Sequence, residues 1–154
     1  MSDTPQTTHA EAQFDRLLHG LLDAAPVGQP FHLFMDTLGQ RDRHLLLIQG
    51  LDSQVANGGF AQWIQNGYLE RDLTSLNLAL DRLVGSLDVL HQRRIVQVLQ
   101  AMLEEVAAIA AGAGPDGLDD CDLDRLDPLD DRYYRLYGEF RSIFWQYFLL
   151  WAAA

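Results

Sequence analysis

Apolar side chains recur every three or four residues along most of this sequence, a spacing that places them on one face of an α-helix. No run of β-branched residues alternates with polar ones, so a sheet of any size is disfavoured. Residues 31–38 are ambiguous between a short helix and a strand. The pattern predicts an all-α fold, a compact helical bundle of about six helices over residues 11–25, 41–55, 60–68, 74–84, 87–111 and 129–151.

Glycine, serine and proline mark the expected ends of several of these helices. Gly58 and Gly59 are expected to break the second helix, because glycine adopts backbone conformations that other residues avoid. Ser86 has the side chain of an N-cap and precedes the fifth helix. Pro128 suits the first turn of the last helix, with Asp127 as its N-cap.

The length of the chain, 154 residues, corresponds to one domain. We expect residues 1–10 to be a flexible N-terminus and residues 11–154 to form a single helical domain. The first thirty residues lack the basic segment and apolar core of a signal peptide, and the longest apolar stretch, 143–154, is shorter than the roughly 18 residues that cross a bilayer. The single cysteine, Cys121, excludes an intrachain disulfide and fits a reducing compartment. A cytoplasmic protein without membrane association is therefore expected.

The charge of the chain is strongly one-sided. Asp and Glu number 22 and basic residues 11, all of them Arg, for a formal net charge of −11. Direct nucleic-acid binding is disfavoured, because neutralising phosphates requires a basic surface, and docking on an anionic membrane is disfavoured for the same reason. The composition instead favours a cationic partner, either a basic protein surface or a metal.

Residues 54–66 form the most distinctive motif, Gln-Val-Ala-Asn-Gly-Gly-Phe-Ala-Gln-Trp-Ile-Gln-Asn. A leucine-rich helix precedes this motif, and an Asp-Asp-Arg-Tyr-Tyr segment at 130–134 opens an aromatic terminal helix. Over about residues 40–150 the chain resembles the bacterial DNA-mimic-protein family, an all-helical family with a Val-x-Asn-Gly-Gly-Phe hallmark. Ala56 departs from the family pattern, in which a second Asn is expected. The hallmark positions are Val55, Asn57, Gly58, Gly59, Phe60, Gln62, Trp63 and Asn66.

The residues of this motif have a mainly structural interpretation. The two glycines let two helices meet at a sharp corner, and Phe60 and Trp63 anchor that corner in the core. Asn57 is expected to bond to the turn backbone. Gln62 and Asn66 share one helix face and are expected to satisfy backbone groups of the loop. The alternative, that this polar set contacts a ligand or partner, stays open.

The strongest electrostatic feature is an acidic segment near the C-terminal helix. Its charge favours a docking surface for a basic partner, and a solvated linker is the alternative. Positions 1, 3, 5 and 12 of a calcium-loop template would fall on four of its Asp residues, but Arg125 stands where that loop needs Gly. The candidate partner-binding residues are Asp116, Asp119, Asp120, Asp122, Asp124, Asp127, Asp130 and Asp131, and Asp72, Asp81, Asp88, Glu104 and Glu105 are possible extensions.

The sequence offers little sign of catalysis. It contains no nucleophile elbow, phosphate loop or dinucleotide fingerprint, and its five His lack metal-ligand spacing. We expect no catalytic residue, no metal and no cofactor. Four aromatic residues of the last helix are candidates for a homodimer contact, with burial in the monomer as the alternative: Tyr134, Trp145, Tyr147 and Trp151.

The family resemblance implies a non-enzymatic regulatory protein that presents carboxylates in place of DNA phosphates. Such a protein would occupy the basic DNA-binding surface of a transcription factor or nucleoid protein. One alternative is an immunity protein or inhibitor that neutralises a basic toxin or enzyme. A second alternative is an enzyme or metal-binding domain.

Overall fold

The computed structural model describes the backbone of residues 5–153 and the side chains of residues 9–151. Within this part of the chain the fold is a single all-α bundle with no β-strand, as predicted from the apolar spacing. The ambiguous segment at 31–38 contains a short helix, and an isolated bridge joins Gly114 and Gly117. The six helices are α1 (Pro5–Asp23), α2 (Phe31–Asp36), α3 (Gln40–Gln65), α4 (Tyr68–Ser86), α5 (Leu90–Ala111) and α6 (Asp120–Ala153).

Helices α3 and α6 form the centre of the bundle. Helix α6 packs against α1, α3, α4 and α5, and α3 also contacts α2 and α4. The face of α6 that points inward is aromatic: the rings of Phe140, Phe144 and Phe148 follow one another with centroids 6.1 and 5.1 Å apart. Phe14 of α1 meets the Phe144 ring edge-on at 4.9 Å. This packing fixes the axis of α6, the helix that carries most of the predicted acidic segment.

The corner predicted at the two glycines is present within α3. Gly58 has φ −146° and ψ 19°, and Gly59 has φ 72° and ψ −177°, so the helical path changes direction between them. The second half of α3 ends at Asn66, and Gly67 follows in the left-handed conformation with φ 82°. Both bends use glycine where a Cβ atom would be strained.

Two helix boundaries differ from the sequence predictions. Helix α4 continues to Ser86, whose hydroxyl donates to the Leu83 carbonyl at 2.7 Å, so the prediction that Ser86 caps the next helix is wrong. Helix α5 begins only at Leu90. At the other end of the chain α1 begins at Pro5, where proline is tolerated because a first-turn N–H has no helical partner. Residues 1–4 lie outside the described part, and the flexibility of residues 1–10 stays a prediction.

The start of α6 also corrects a prediction. The helix begins at Asp120, so Asp127 and Pro128 lie inside it rather than at its N-terminus. Proline has no N–H, and its presence leaves the Asp124 carbonyl without the usual helical donor. Asp124 and Pro128 are both exposed, so water can solvate the interrupted site. The helix tolerates the proline because the break faces solvent.

Helix α6 has 34 residues and is the longest of the described helices. Its N-terminal third is acidic and its C-terminal half is aromatic. Across residues 5–153, neither α6 nor any other helix has an apolar stretch long enough to cross a membrane.

Candidate partner-binding face

The glycine corner of α3 is joined to α6 by a hydrogen bond across the bundle. The backbone N–H of Phe60 donates to Oδ1 of Asp130 at 2.8 Å. A Cβ atom built on Gly59 would lie 2.5 Å from Oδ2 of the same carboxylate, so only glycine allows this approach. The corner and the acidic segment, 70 residues apart in sequence, are thus one structural joint.

A buried polar network lies beside this hydrogen bond. Asp52 of α3 is 3% exposed. The Tyr133 hydroxyl donates to its Oδ1, and Nε of Arg141 donates to its Oδ2 at 2.8 Å. A buried carboxylate requires such partners, because desolvation of an unpaired charge is costly. Burial, together with the Asp52 charge, raises the pKa of Tyr133, which keeps its hydroxyl protonated as the donor.

Tyr134 adds a third link between the same helices. Its hydroxyl donates to the Val55 carbonyl at 3.0 Å, while 41% of the residue remains exposed. The two sequence segments that carried the family resemblance, 55–66 and 130–134, therefore meet in space. Their contacts support the structural interpretation of most of the motif, with Phe60 and Trp63 fully buried beside the corner.

The amide side chains of the motif bond to one another rather than to the loop backbone. Nε2 of Gln62 and Nδ2 of Asn66 both donate to Oε1 of Gln54, at 3.1 and 2.7 Å. The expected bonds from Gln62 and Asn66 to loop backbone groups are therefore corrected: the nearest acceptor is a side chain on the preceding turn of α3. Asn57 is exposed and makes no side-chain hydrogen bond within the described residues, so its expected bond to the turn backbone is also not found.

Three of the eight predicted partner-binding acids are committed to the fold. Asp119 and Asp122 cap α6 reciprocally: the Asp122 N–H donates to Asp119 Oδ1 at 2.8 Å, and the Asp119 N–H donates to Asp122 Oδ2 at 3.0 Å. Asp122 is only 7% exposed. The third is Asp130, which receives the Phe60 N–H. Partner binding through Asp122 or Asp130 would require these bonds to break.

Four of the remaining acids share one outward stripe of α6, which we call the carboxylate row: Asp120, Asp124, Asp127 and Asp131. Their spacings of four, three and four residues confine them to a sector of about 60° and spread them over about 16 Å of helix axis. The opposite side of this part of the helix is buried through Leu126, Leu129 and Tyr133. All four residues of the row are exposed, and none forms an ion pair with any side chain described by the structure.

Further acids flank the carboxylate row. Asp116 is exposed in the loop before α6, and Glu104 and Glu105 are exposed on the neighbouring helix α5. Glu105 lies 3.6 Å from the guanidinium of Arg132, an exposed pair that holds little free energy. Asp81, another predicted extension, accepts from the Gln100 amide at 2.7 Å on a different face.

The pKa of Asp130 reports how the joint and the carboxylate row interact. Burial raises the pKa of this carboxyl, and the charges of Asp127 and Asp131 raise it further. The hydrogen bond from the Phe60 N–H opposes both effects by stabilising the charged form. The row therefore acts electrostatically on the joint that positions it.

The four aromatic candidates for a homodimer contact all have partners in the monomer. The Trp145 ring lies 6.3 Å from Phe14, and the Trp151 ring is covered by the guanidinium of Arg82 at 4.2 Å. Tyr147 packs edge-on to Phe148 at 4.9 Å, and Tyr134 bonds to α3. Homodimerisation stays a prediction, because burial within one chain already accounts for these side chains.

The described residues include no group of three or more His, Cys, Asp and Glu arranged to hold a metal ion. The calcium-loop template at 120–131 corresponds to helix rather than loop. That difference follows from the Asp119–Asp122 cap, which starts α6 where the template needs an open turn.

The profile of the DMP19-like protein family matches residues 36–148. The chain belongs to the DMP19-like family. The match contains the glycine corner, the buried network and the carboxylate row, and it excludes most of α1. Comparisons with curated proteins and with solved structures gave no match.

Sequence reasoning missed the roles of Asp52 and Arg141. Asp52 stands three residues before Val55 in a run of apolar residues, and an acid at a core position is a signal that a partner must exist. The partners themselves, Tyr133 and Arg141, lie more than 80 residues away and have no local signal.

Proposed function

We propose that this chain is a non-enzymatic regulatory protein that mimics DNA and occupies the DNA-binding surface of a basic protein. The observation that carries the proposal is the carboxylate row, Asp120, Asp124, Asp127 and Asp131, held on one outward face and free of ion pairs within the described residues. Membership of the DMP19-like family is consistent with this role.

The spacing of the row limits what it can imitate. Successive carboxylates are about 5.5 Å apart along the helix axis on average, whereas phosphates of one DNA strand recur about every 3.4 Å. The row therefore offers about three fifths of the linear charge density of a single strand. The flanking acids Asp116, Glu104 and Glu105 would raise the local density toward that of a strand. The footprint on the partner should accordingly be one lysine- or arginine-lined groove about five phosphates long.

The joint between α3 and α6 gives the row a fixed direction. A mimic benefits from rigidity, because charges that are already in place lose less conformational entropy on binding. Asp130, Tyr133 and Tyr134 bond α6 to α3 directly behind the row. The family motif would then serve to present the carboxylates rather than to contact the partner.

The proposal is tested by neutralising the row without changing its shape. A fourfold variant with Asn at 120, 124, 127 and 131 is compared with a control carrying Asn at four exposed acids elsewhere, Asp15, Asp23, Asp36 and Asp88. Both variants lose four charges, so a general effect of net charge would affect them equally.

Each protein is immobilised and incubated with cell extract at low salt. The expected result is that the wild type and the control retain a DNA-binding protein that duplex DNA releases, and that the row variant does not. Retention should weaken steeply with salt, since exposed charges are screened within about 8 Å at physiological ionic strength. Equal retention by the row variant and the wild type would contradict the proposal, as would a captured protein that duplex DNA does not displace.

A further inference from the structure

A second candidate site lies far from the carboxylate row in sequence, where α1, α2, α3 and α4 meet. An apolar cleft of about 300 Å³ opens between these helices, and a smaller polar cavity of about 130 Å³ adjoins it. Met35 and Asp72 line both spaces, so the two form one continuous depression. Small-molecule sites usually enclose about 300 to 1,000 Å³, which the cleft reaches on its own.

The cleft is built as a receptor for an apolar chain. Its walls include Leu18, Leu46 and the ring of Tyr68. At its rim Leu22 and Phe31 are each 41% exposed, unusual for large apolar side chains. Gly50 lies in its floor, and a Cβ atom there would approach the Tyr68 ring to 3.4 Å. The apolar rim remains uncovered in the described structure, and an apolar ligand would remove it from water.

The polar cavity contains a cation that lacks a counter-charge. Arg43 forms no ion pair with any side chain between residues 9 and 151, although it is partly buried. One of its five N–H groups donates to the Leu38 carbonyl at 3.2 Å, and its Nε is buried without a partner. Part of its hydrogen-bonding capacity therefore remains for a ligand.

The other charges of the cavity leave Arg43 dominant. Asp72 is already neutralised by Arg71, whose Nε and Nη2 lie 3.1 and 3.4 Å from its two oxygens. Asp36 is exposed at the edge, where water screens it. Ser75 adds a hydroxyl that can donate to an anion. In a chain of net charge −11, a partly buried guanidinium without a carboxylate partner is an exception that asks for an anionic ligand.

We propose that this depression binds an amphipathic monocarboxylate, with the aliphatic tail in the apolar cleft and the carboxylate on the guanidinium of Arg43. An unbranched chain of about eight carbons suits the volume of the cleft. The proposal does not depend on the function of the carboxylate row, and the two can fail separately.

Octanoate serves as the probe, titrated into the full chain by isothermal calorimetry below its micelle concentration. The expected result is saturable binding of one molecule per chain. Arg43→Met, which removes the charge and keeps most of the bulk, should weaken binding about tenfold or more, in line with the loss of a charge-assisted hydrogen bond. Arg93→Met removes an exposed Arg on α5, outside this depression, and should leave the affinity unchanged.

Two further measurements separate the head from the tail. Octylamine and octanamide have the same tail and should bind at least tenfold more weakly than octanoate. Ser53→Trp fills the cleft from its exposed edge and should abolish binding while circular dichroism shows an intact helical fold. The absence of saturable octanoate binding, equal binding of octylamine, or unchanged affinity in Arg43→Met would each overturn the proposal.

Discussion

Asp130 and Asp131 are adjacent in sequence and chemically identical, yet the fold uses them in opposite ways. Asp130 points toward α3 and accepts the Phe60 N–H, whereas Asp131 belongs to the outward carboxylate row and has no ion pair within the described residues. A rotation of 100° around the helix separates a structural acid from a candidate functional one. Counting acids therefore says less about a binding surface than knowing which of them the fold has already engaged.

The largest effect is expected from Gly59→Ala, which breaks the inward side of this comparison. The new Cβ would clash with the Asp130 carboxylate at 2.5 Å, and the backbone has φ 72°. We expect the free energy of unfolding to fall by about 2 to 4 kcal/mol, measured by urea denaturation. Gly67→Ala is the matched control: its φ is 82° but nothing lies within 4 Å, so only about 1 kcal/mol should be lost. Equal losses in both variants would show that the Asp130 contact does not matter.

A smaller effect is expected from the hydroxyl groups of Tyr133 and Tyr134. Tyr133→Phe leaves one oxygen of the buried Asp52 without its donor and should cost about 2 kcal/mol of unfolding free energy. Tyr134→Phe removes a bond at a partly exposed site and should cost less than about 1 kcal/mol. Thermal or urea unfolding of the two variants under identical conditions measures the difference. A larger loss in Tyr134→Phe would reverse the assignment of the buried network.

The pH dependence of stability sharpens the comparison further. Because burial raises the pKa of Asp130 in the folded chain, the folded state holds this proton more tightly than the unfolded state does. The contribution of Asp130 is then fully present below its unfolded pKa of about 3.9 and declines as pH rises through the folded value. Wild type should therefore lose stability relative to Asp130→Asn as pH increases from 3 to 7. Urea midpoints across that range measure this loss, and a relative gain would contradict the stated environment.

The smallest effect on stability is expected from Asp131→Asn. This side chain is exposed and unpaired, so the free energy of unfolding should change by less than about 0.5 kcal/mol. Its removal should nevertheless reduce retention of a basic partner, since it ends the carboxylate row. The same unfolding and retention assays give both values. A loss of stability as large as that of Tyr133→Phe would place Asp131 in the joint rather than in the row.

The helical class and the glycine corner were predictable because each has a local signal. Apolar spacing identifies helices, and Gly58-Gly59 identifies the break within α3. The capping pair was also readable in principle, since Asp119 and Asp122 have the spacing of a capping box, but Pro128 drew attention to the wrong turn. The division of the acids between joint and row was not predictable, because it depends on where Phe60 lies 70 residues away.

Pro128 carries a consequence for recognition. By withholding a donor from the Asp124 carbonyl, it leaves a neutral acceptor on the same turns as the four carboxylates. Unlike those side chains, a peptide oxygen never takes up a proton and is insensitive to ionic strength. An arginine arriving at this helix thus meets one fixed dipole among its charges, and that contact should persist in acid or brine after the electrostatic attraction has faded.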